Sequence, residues 1–405
     1  MQPWPGEVLD ERSGEIAVGF AALLTRQAAW RHRRVETIRV LSHERVRRHV
    51  SVDFTVPVAH RAEIQLSERE WIVPLAYLAK RLLVHFDLFD EGEDAVPLLR
   101  SDEAQLIARE LLYVMLDLDT EDAVQEDVGP LIEWILAAGP GEEDGVDAAV
   151  EELEGTLGPL PGFSALAAQL TRGFLLCAVV NDVGRRRVVK FSYEQPLGRP
   201  GRTAHFYDTP GCTQAASYHV EVDVPEELRA RRTNLVDDNT GAVLSRGPRD
   251  TDRPAIHYVA EPDVDVSPGL SVIYGTERSR FLVPAALVAW VIALGLALPW
   301  LFADLPSLSG APSPAIAILL SSSAIVSGLV LRSGEHPLVR LMLAPYRLCL
   351  AAATVAVVVA GGTLAFHGSA GALAWTWGLG ALVAVLSAGI LTFEAVRAPA
   401  TAKDT

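Results

Sequence analysis

Within HFDLFDEGED, residues 85–94, one histidine and five carboxylates fall in ten positions. Oxygen ligands at that density suit a hard divalent cation, and an imidazole beside them suits a transition metal. The spacing departs from the D-x-D-x-D-G pattern of a calcium loop. In a strand, Val84, Phe86 and Leu88 share one side and His85 and Asp87 the other, and residues 90–94 form a turn around Gly92. His85 and Asp87 are therefore metal candidates, and a solvated hairpin tip accounts for the same residues.

A second cluster is YHVEVDV, where His219, Glu221 and Asp223 occupy one strand face, roughly 7 Å apart at each step of two residues. With His205 or His257 brought alongside from another strand, the row can bind metal or exchange protons. The polar side of an antiparallel sheet, with Val220, Val222 and Val224 buried, explains it equally. Directly after it, ELRARRTN supplies Arg229, Arg231 and Arg232 as partner-binding candidates, because guanidinium groups grip carboxylate or phosphate in bidentate fashion. Arg185, Arg186 and Arg187 join that patch if the two loops share one end of a sheet pair; surface charge balance is the simpler account.

Catalytic signatures are absent: there is no P-loop, G-x-G-x-x-G after a strand, G-x-S-x-G, H-E-x-x-H, C-x-x-C or H-R-D. No catalytic residue, cofactor or bound metal is assigned, and the chain reads as a non-enzyme. Cys177, Cys212 and Cys349 are an odd number at unrelated spacings, which argues against a disulfide framework.

The elements that would position these residues divide the chain into four. Residues 1–100 begin with an amphipathic helix over 14–30, with Ile16, Phe20, Leu23 and Leu24 on one side, and continue as a small β module. Its strands are VETIRVL, RRHVSVDFTVP and the pair LLVHFDLF and AVPLL. Residues 101–184 are helical. Ser101 opens one helix, Thr120 caps another that is interrupted near Pro130, the acidic stretch 140–162 reads as a short exposed helix or a mobile link, and SALAAQLTRGFLLCAVVND reads as one buried helix. Residues 185–277 contain five period-two stretches, expected as a membrane-proximal β-sandwich.

Residues 278–405 form the fourth division. The run from Phe281 to Phe302 has no charged residue and is long enough to cross a bilayer core of about 30 Å. Further candidate spans lie near 314–331, 348–366 and 371–393. Every Arg and Lys flanking the spans falls on one side: Arg278 and Arg280, then Arg332, Arg340 and Arg347, then Arg397 and Lys403. Basic flanks stay in the cytoplasm, so both termini are expected there, and the opening MQPWPGEVLDERSGE lacks the apolar core of a signal peptide. The expected architecture is an α+β cytoplasmic region followed by an all-α four-helix transmembrane domain in the inner membrane.

The 280 residues before the first span carry 30 basic and 47 acidic side chains, a formal charge of −17. Nucleic acid and anionic headgroups are repelled by such a region unless a local basic patch intervenes. The span cores lack ionisable groups, which disfavours coupled transport. Lysine is nearly replaced by arginine, and Ala, Val, Gly and Leu dominate, as in a GC-rich genome. In this general layout the chain resembles the uncharacterised membrane proteins of actinobacteria, a likeness that implies no activity and no site residue.

The expected function is that of a membrane-anchored sensor or interaction protein for a cytoplasmic protein or small-molecule ligand. The alternatives are an oligomeric pore-forming effector gated by the cytoplasmic region, with small-residue faces such as AGGT and GLGAL joining copies, and a membrane-bound metal-dependent hydrolase.

Overall fold

Helix α1 (Pro5–Thr25) buries Ile16, Phe20 and Leu23, the stripe expected of a docking helix. A short turn, α2 (Gln27–Trp30), leads into β1 (Arg31–Val40), β2 (Arg45–Phe54), β3 (Gln65–Ser67), β4 (Glu70–Ala79) and β5 (Val84–Phe89). Four helices follow: α3 (Ser101–Met115), α4 (Asp122–Ala137), α5 (Glu143–Leu157) and α6 (Pro161–Arg172). The chain returns to strands as β6 (Gly173–Asn181), β7 (Arg187–Pro196), β8 (Arg199–Pro200), β9 (Ala204–Asp208) and β10 (Ser217–Asp223). These are joined by β11 (Leu228–Asp237), β12 (Val243–Arg246), β13 (Ala255–Val259) and β14 (Pro268–Thr276). Helices α7 (Val283–Phe302), α8 (Pro337–Ala365) and α9 (Ala370–Arg397) complete it. This is a computed structural model, and it describes residues 5–42, 44–80, 84–116, 122–139, 141–197, 199–200, 203–259, 268–276, 281–302, 335–365 and 370–397.

The strands form three sheets. Six are ordered β13-β10-β1-β2-β7-β5, five β12-β11-β14-β9-β8, and three β3-β4-β6. In the first, β1 runs parallel to β10 with Val35 opposite His219, and antiparallel to β2 with Glu36 opposite Val50. The N-terminal strands β1, β2 and β5 thus share a sheet with β7, β10 and β13. Residues 35–100 and 185–277 are therefore not two β modules in chain order, and the expected sandwich of residues 185–277 is not a unit by itself. Period-two patterning identifies a strand and its buried face; it does not name the neighbour with which that strand pairs.

Two other expectations are corrected. Residues 164–182 are not one helix: α6 ends at Arg172 and β6 starts at Gly173. A Cβ at Gly173 would lie 2.7 Å from the Leu78 carbonyl oxygen, so the abrupt change from helix to strand beside β4 depends on glycine. Helix α4 runs past Pro130 without a break, because Val128 and Ile132 are buried on either side of the missing backbone hydrogen bond. Of the two alternatives for residues 140–162 the helix is the one present, as α5, although it buries Val146 and Val150. Thr120 lies outside the described residues.

Two cores hold this mixed α/β region. The first joins α1, the three-stranded sheet, helices α3 to α6 and one face of β2 and β7, including Phe54, Ile72, Leu111, Phe163 and Phe191. The second lies between the six- and five-stranded sheets and contains Ile38, Val46, Tyr218, Val222, Leu235 and Tyr274. Leu338, Val339, Met342 and Leu343, from the first turns of α8, belong to that second core.

Two C-terminal helices are long and apolar enough to cross a membrane, over Pro337–Thr363 and Gly371–Arg397, and a shorter apolar helix, Val283–Leu298, accompanies them. The expected span at 314–331 lies outside the described residues. Where α7, α8 and α9 meet, the buried side chains are mostly alanine: Ala285, Ala289 and Ala293 with Ala353, Ala360, Ala381, Ala384 and Ala388. Leu287, Val291, Leu298, Trp375, Leu379 and Leu386 point outward. Small residues inside and large apolar ones outside reverse the pattern of a water-soluble bundle and suit helices surrounded by lipid.

Candidate functional site

The acidic hairpin is built as its period suggests from Phe86 onward, with Leu88 buried and Asp87 exposed. His85 departs from it. Its φ of 52° is in the left-handed region, where the β5–β7 register slips between Val84 and Asp87, and its Nδ1 lies 3.0 Å from Oε1 of Glu194. Glu194 also faces Arg47 at 3.5 Å and Arg45 at 4.0 Å. In the turn, Asp90 Oδ1 accepts the backbone N–H groups of Gly92 and Asp94 at 2.8 and 3.1 Å. Arg187 approaches Asp90 at 3.4 Å, and Arg185 approaches Glu91 at 3.4 Å. Asp90 and Glu91 thus bind backbone and arginine, and His85 faces Glu194.

The same contacts settle where the arginine run goes. Arg186 pairs with Asp53, and Arg185 also meets Asp182 at 3.5 Å. Residues 185–187 are engaged at the acidic tip.

On β10 the expected row forms, with His219 directly opposite His257 of β13. His257 Nε2 is 2.9 Å from Ser217 Oγ. Burial and Arg33 lower the pKa of His219 below its usual 6.5, against the pull of Glu221. Asp223, at the strand's end, faces Arg39 at 3.7 Å and Arg253 at 3.9 Å. His205 does not join: it lies on β9 in the other sheet, buried, its ring 5.1 Å from that of Tyr274. Among the described residues no three His, Cys, Asp or Glu side chains come close enough to hold a metal ion. The thiols of Cys177 and Cys212 are pushed up by burial, Cys212 to about 12, which leaves both as protonated core side chains.

ELRARRTN is not the loop expected after β10, because Arg229, Arg231 and Arg232 all lie on strand β11. A bulge between Ala230 and Arg232 turns the strand there. Arg231 lies across Gly275, whose added Cβ would meet its Nε at 2.0 Å, and Arg232 is exposed. Arg229 donates to the Asp250 carbonyl at 3.4 Å.

Two residues singled out for different reasons meet in one pocket. Asp223 and Arg229 line a cavity of about 420 Å³ with Arg39, Glu226, Arg253 and His336. The pocket sits where β1 and β10 end and β11 begins. Its far wall is His336, the residue before α8, whose Nε2 is 2.8 Å from the Val40 carbonyl oxygen. Charges of both signs on a polar wall suit a ligand or peptide bearing complementary charges, and no proton-transfer dyad or nucleophile stands among them. His219 and Glu221 lie farther along β10 and do not line it.

A second arrangement carries no signature motif. Glu36, fully buried, accepts from Arg48 through one oxygen and from the Tyr218 hydroxyl at 3.0 Å through the other, with Arg34 Nε 3.9 Å away. Arg48 donates to the Asp208 carbonyl at 2.6 Å, and the Gln195 amide oxygen, turned toward it, accepts at 2.8 Å from its Nε. Arg34 reaches Gln214 at 3.3 Å and passes so close to Gly211 that a Cβ there would lie 2.1 Å from Nε. Burial works against the charge on Arg48, yet Glu36 and the tyrosines hold its pKa above the ordinary arginine value. This network ties β1, β2 and β10 to the 208–214 turn, beside the core that receives α8. No protein-family model matches the chain and no curated protein matches it either, so the pocket is read from its own residues.

Proposed function

We propose that the chain is a membrane-anchored sensor or interaction protein, whose cytoplasmic α+β region binds a ligand or protein partner at the junction pocket and passes that event to its membrane helices through α8. The observation that carries this reading is the double membership of α8. Leu338, Val339, Met342 and Leu343 are buried in the core between the sheets, and the same helix continues as an apolar segment long enough to span a bilayer. A ligand touching His336, Arg39 or Arg229 therefore acts beside the first turn of a membrane helix.

Two features favour transmission over mere attachment. Tyr346 packs against the second core and against the alanine-lined contact of α7, α8 and α9, and its hydroxyl donates to Glu394 of α9 at 3.4 Å. Arg347 pairs with Glu335 and lies over the Phe281 ring at 5.8 Å. Pro345, between the docked turns and the apolar run, lacks an N–H for the helical ladder and marks the point where α8 bends most easily. The segregation of the basic flanks supports a cytoplasmic side for both termini and this whole region.

Hydrogen exchange of the full chain in lipid nanodiscs tests the relay. Val339→Asp should speed exchange in β1 and β10 and also in residues 346–365. Unchanged protection of 346–365 would reduce the α8 seat to an anchor. A native pull-down from membranes, with Arg39→Ala and Arg229→Ala as controls, identifies the occupant of the pocket.

A further inference from the structure

A separate cavity of about 260 Å³ opens in the first core, between α3, the end of α4, α6 and strand β6. Its walls are apolar, among them Leu99, Ala104, Ala108, Leu136, Leu170 and Phe174. Close-packed interiors keep few voids larger than a water molecule, and small-molecule sites are typically apolar hollows with a few polar groups at one end. Here the polar end is the start of α3, where Ser101 and Gln105 are exposed at the rim.

Among the described residues that line the cavity, Lys80 is the one charged side chain, and it is already engaged. Lys80 Nζ donates to the carbonyls of Ile135, Leu136 and Ala138 at 3.1, 2.8 and 2.9 Å, closing the C-terminal end of α4. At the start of α3 the charges are paired: Glu103 accepts the Arg100 backbone N–H at 2.8 Å, and Asp102 lies 3.3 Å from the Arg100 guanidinium. A charged head therefore finds no uncommitted counter-charge among the described residues that line the cavity, whose walls are apolar.

We propose that this cavity is a binding site for an uncharged, mostly aliphatic molecule with one hydroxyl or carbonyl group, its chain between Leu99, Ala108 and Leu170 and its polar end at Ser101 and Gln105. The site is independent of the relay, since the cavity belongs to the first core and the α8 seat to the second.

A photoreactive octan-1-ol, applied to the full chain in lipid nanodiscs and mapped by peptide mass spectrometry, tests it by position. Adducts should appear on residues 98–108 and 170–177 as well as on the lipid-facing helices, and excess octan-1-ol should remove the first set. Ala104→Leu narrows the cavity and should cut those adducts by about tenfold, with labelling of α7 to α9 unchanged. An unchanged melting temperature of Ala104→Leu guards against a narrowing variant that only misfolds. Adducts confined to α7 to α9, insensitivity to Ala104→Leu, or stronger labelling by the corresponding photoreactive octanoate would each overturn the assignment.

Discussion

Glu36 and Arg48 carry no motif and were missed from the sequence, although the strand alternation marks them as misfits. The alternation Val50, Val52, Phe54, Val56 extends back through Arg48 to Val46, so a guanidinium occupies a buried phase of β2, and Glu36 does the same two residues before Ile38 on β1. What the pattern could not supply was the partner, because Tyr218 and Gln214 arrive from a distant part of the chain. Removing one member of a buried ion pair leaves the other charge uncompensated, which costs roughly 3–5 kcal/mol. Glu36→Gln should therefore destabilise the mixed α/β region by about that amount in urea unfolding, and Glu36→Leu with Arg48→Met should recover much of it. Equal losses from the single and double variants would assign the cost to packing. The histidines add a pH dependence. Burial and neighbouring arginines hold His219 and His49 below 6.5 in the folded chain. The unfolded chain then binds more protons between the two values, so this contribution is intact above about pH 6.5 and is lost as pH falls from there through the folded pKa. Replacing His219→Gln should flatten the acid side of a melting-temperature profile, and an unchanged profile would remove His219 from the balance.

At the scale of elements, apolar content misled where periodicity was weak. SALAAQLTRGFLLCAVVND is hydrophobic on most faces, and such a run does not distinguish a buried helix from a helix followed by a buried strand. Gly173 was the available signal, since glycine in a helical pattern often marks an end. The docked part of α8 was missed for the opposite reason. In HPLVRLMLAPYR, Leu338, Val339, Met342 and Leu343 recur at helical spacing, yet Arg340 and Arg347 make the stretch read as a basic loop. Strand β5 follows its alternation from Phe86 onward, but Val84 is exposed, a bulge intervenes at His85, and AVPLL, expected as its partner strand, makes only isolated bridges from Ala95 to Phe89 and from Leu98 to Ala178. Because His85 is paired with Glu194 and the turn carboxylates with backbone and arginine, His85→Ala with Asp87→Ala should leave membrane insertion and partner capture intact. Loss of partner capture with folding preserved would return the hairpin to the list of functional sites.

Whole-molecule organisation was the least legible, since the strands of the six-stranded sheet come from both sides of the helical segment and no local rule sets that order. The segregation of flanking arginines remains the basis for orientation: a reporter after Thr405 and a cysteine label at Glu277 should both be cytoplasmic, and labelling from outside at either place would overturn the layout. The α8 seat also alters what the short join TERSR can do. From sequence that join is the sole connection between β strands and membrane helices, so lengthening it should uncouple them. With α8 docked there are two connections. About ten Gly/Ser residues inserted after Gly275 would extend the first by roughly 5–6 Å times the square root of their number, while leaving Leu338 and Val339 in place. The insertion alone should therefore preserve the transfer of a change at the junction pocket to residues 346–365, measured by hydrogen exchange, and only its combination with Val339→Asp should abolish transfer completely. Complete uncoupling by the insertion alone would make α7 the carrier and leave α8 a passive strut.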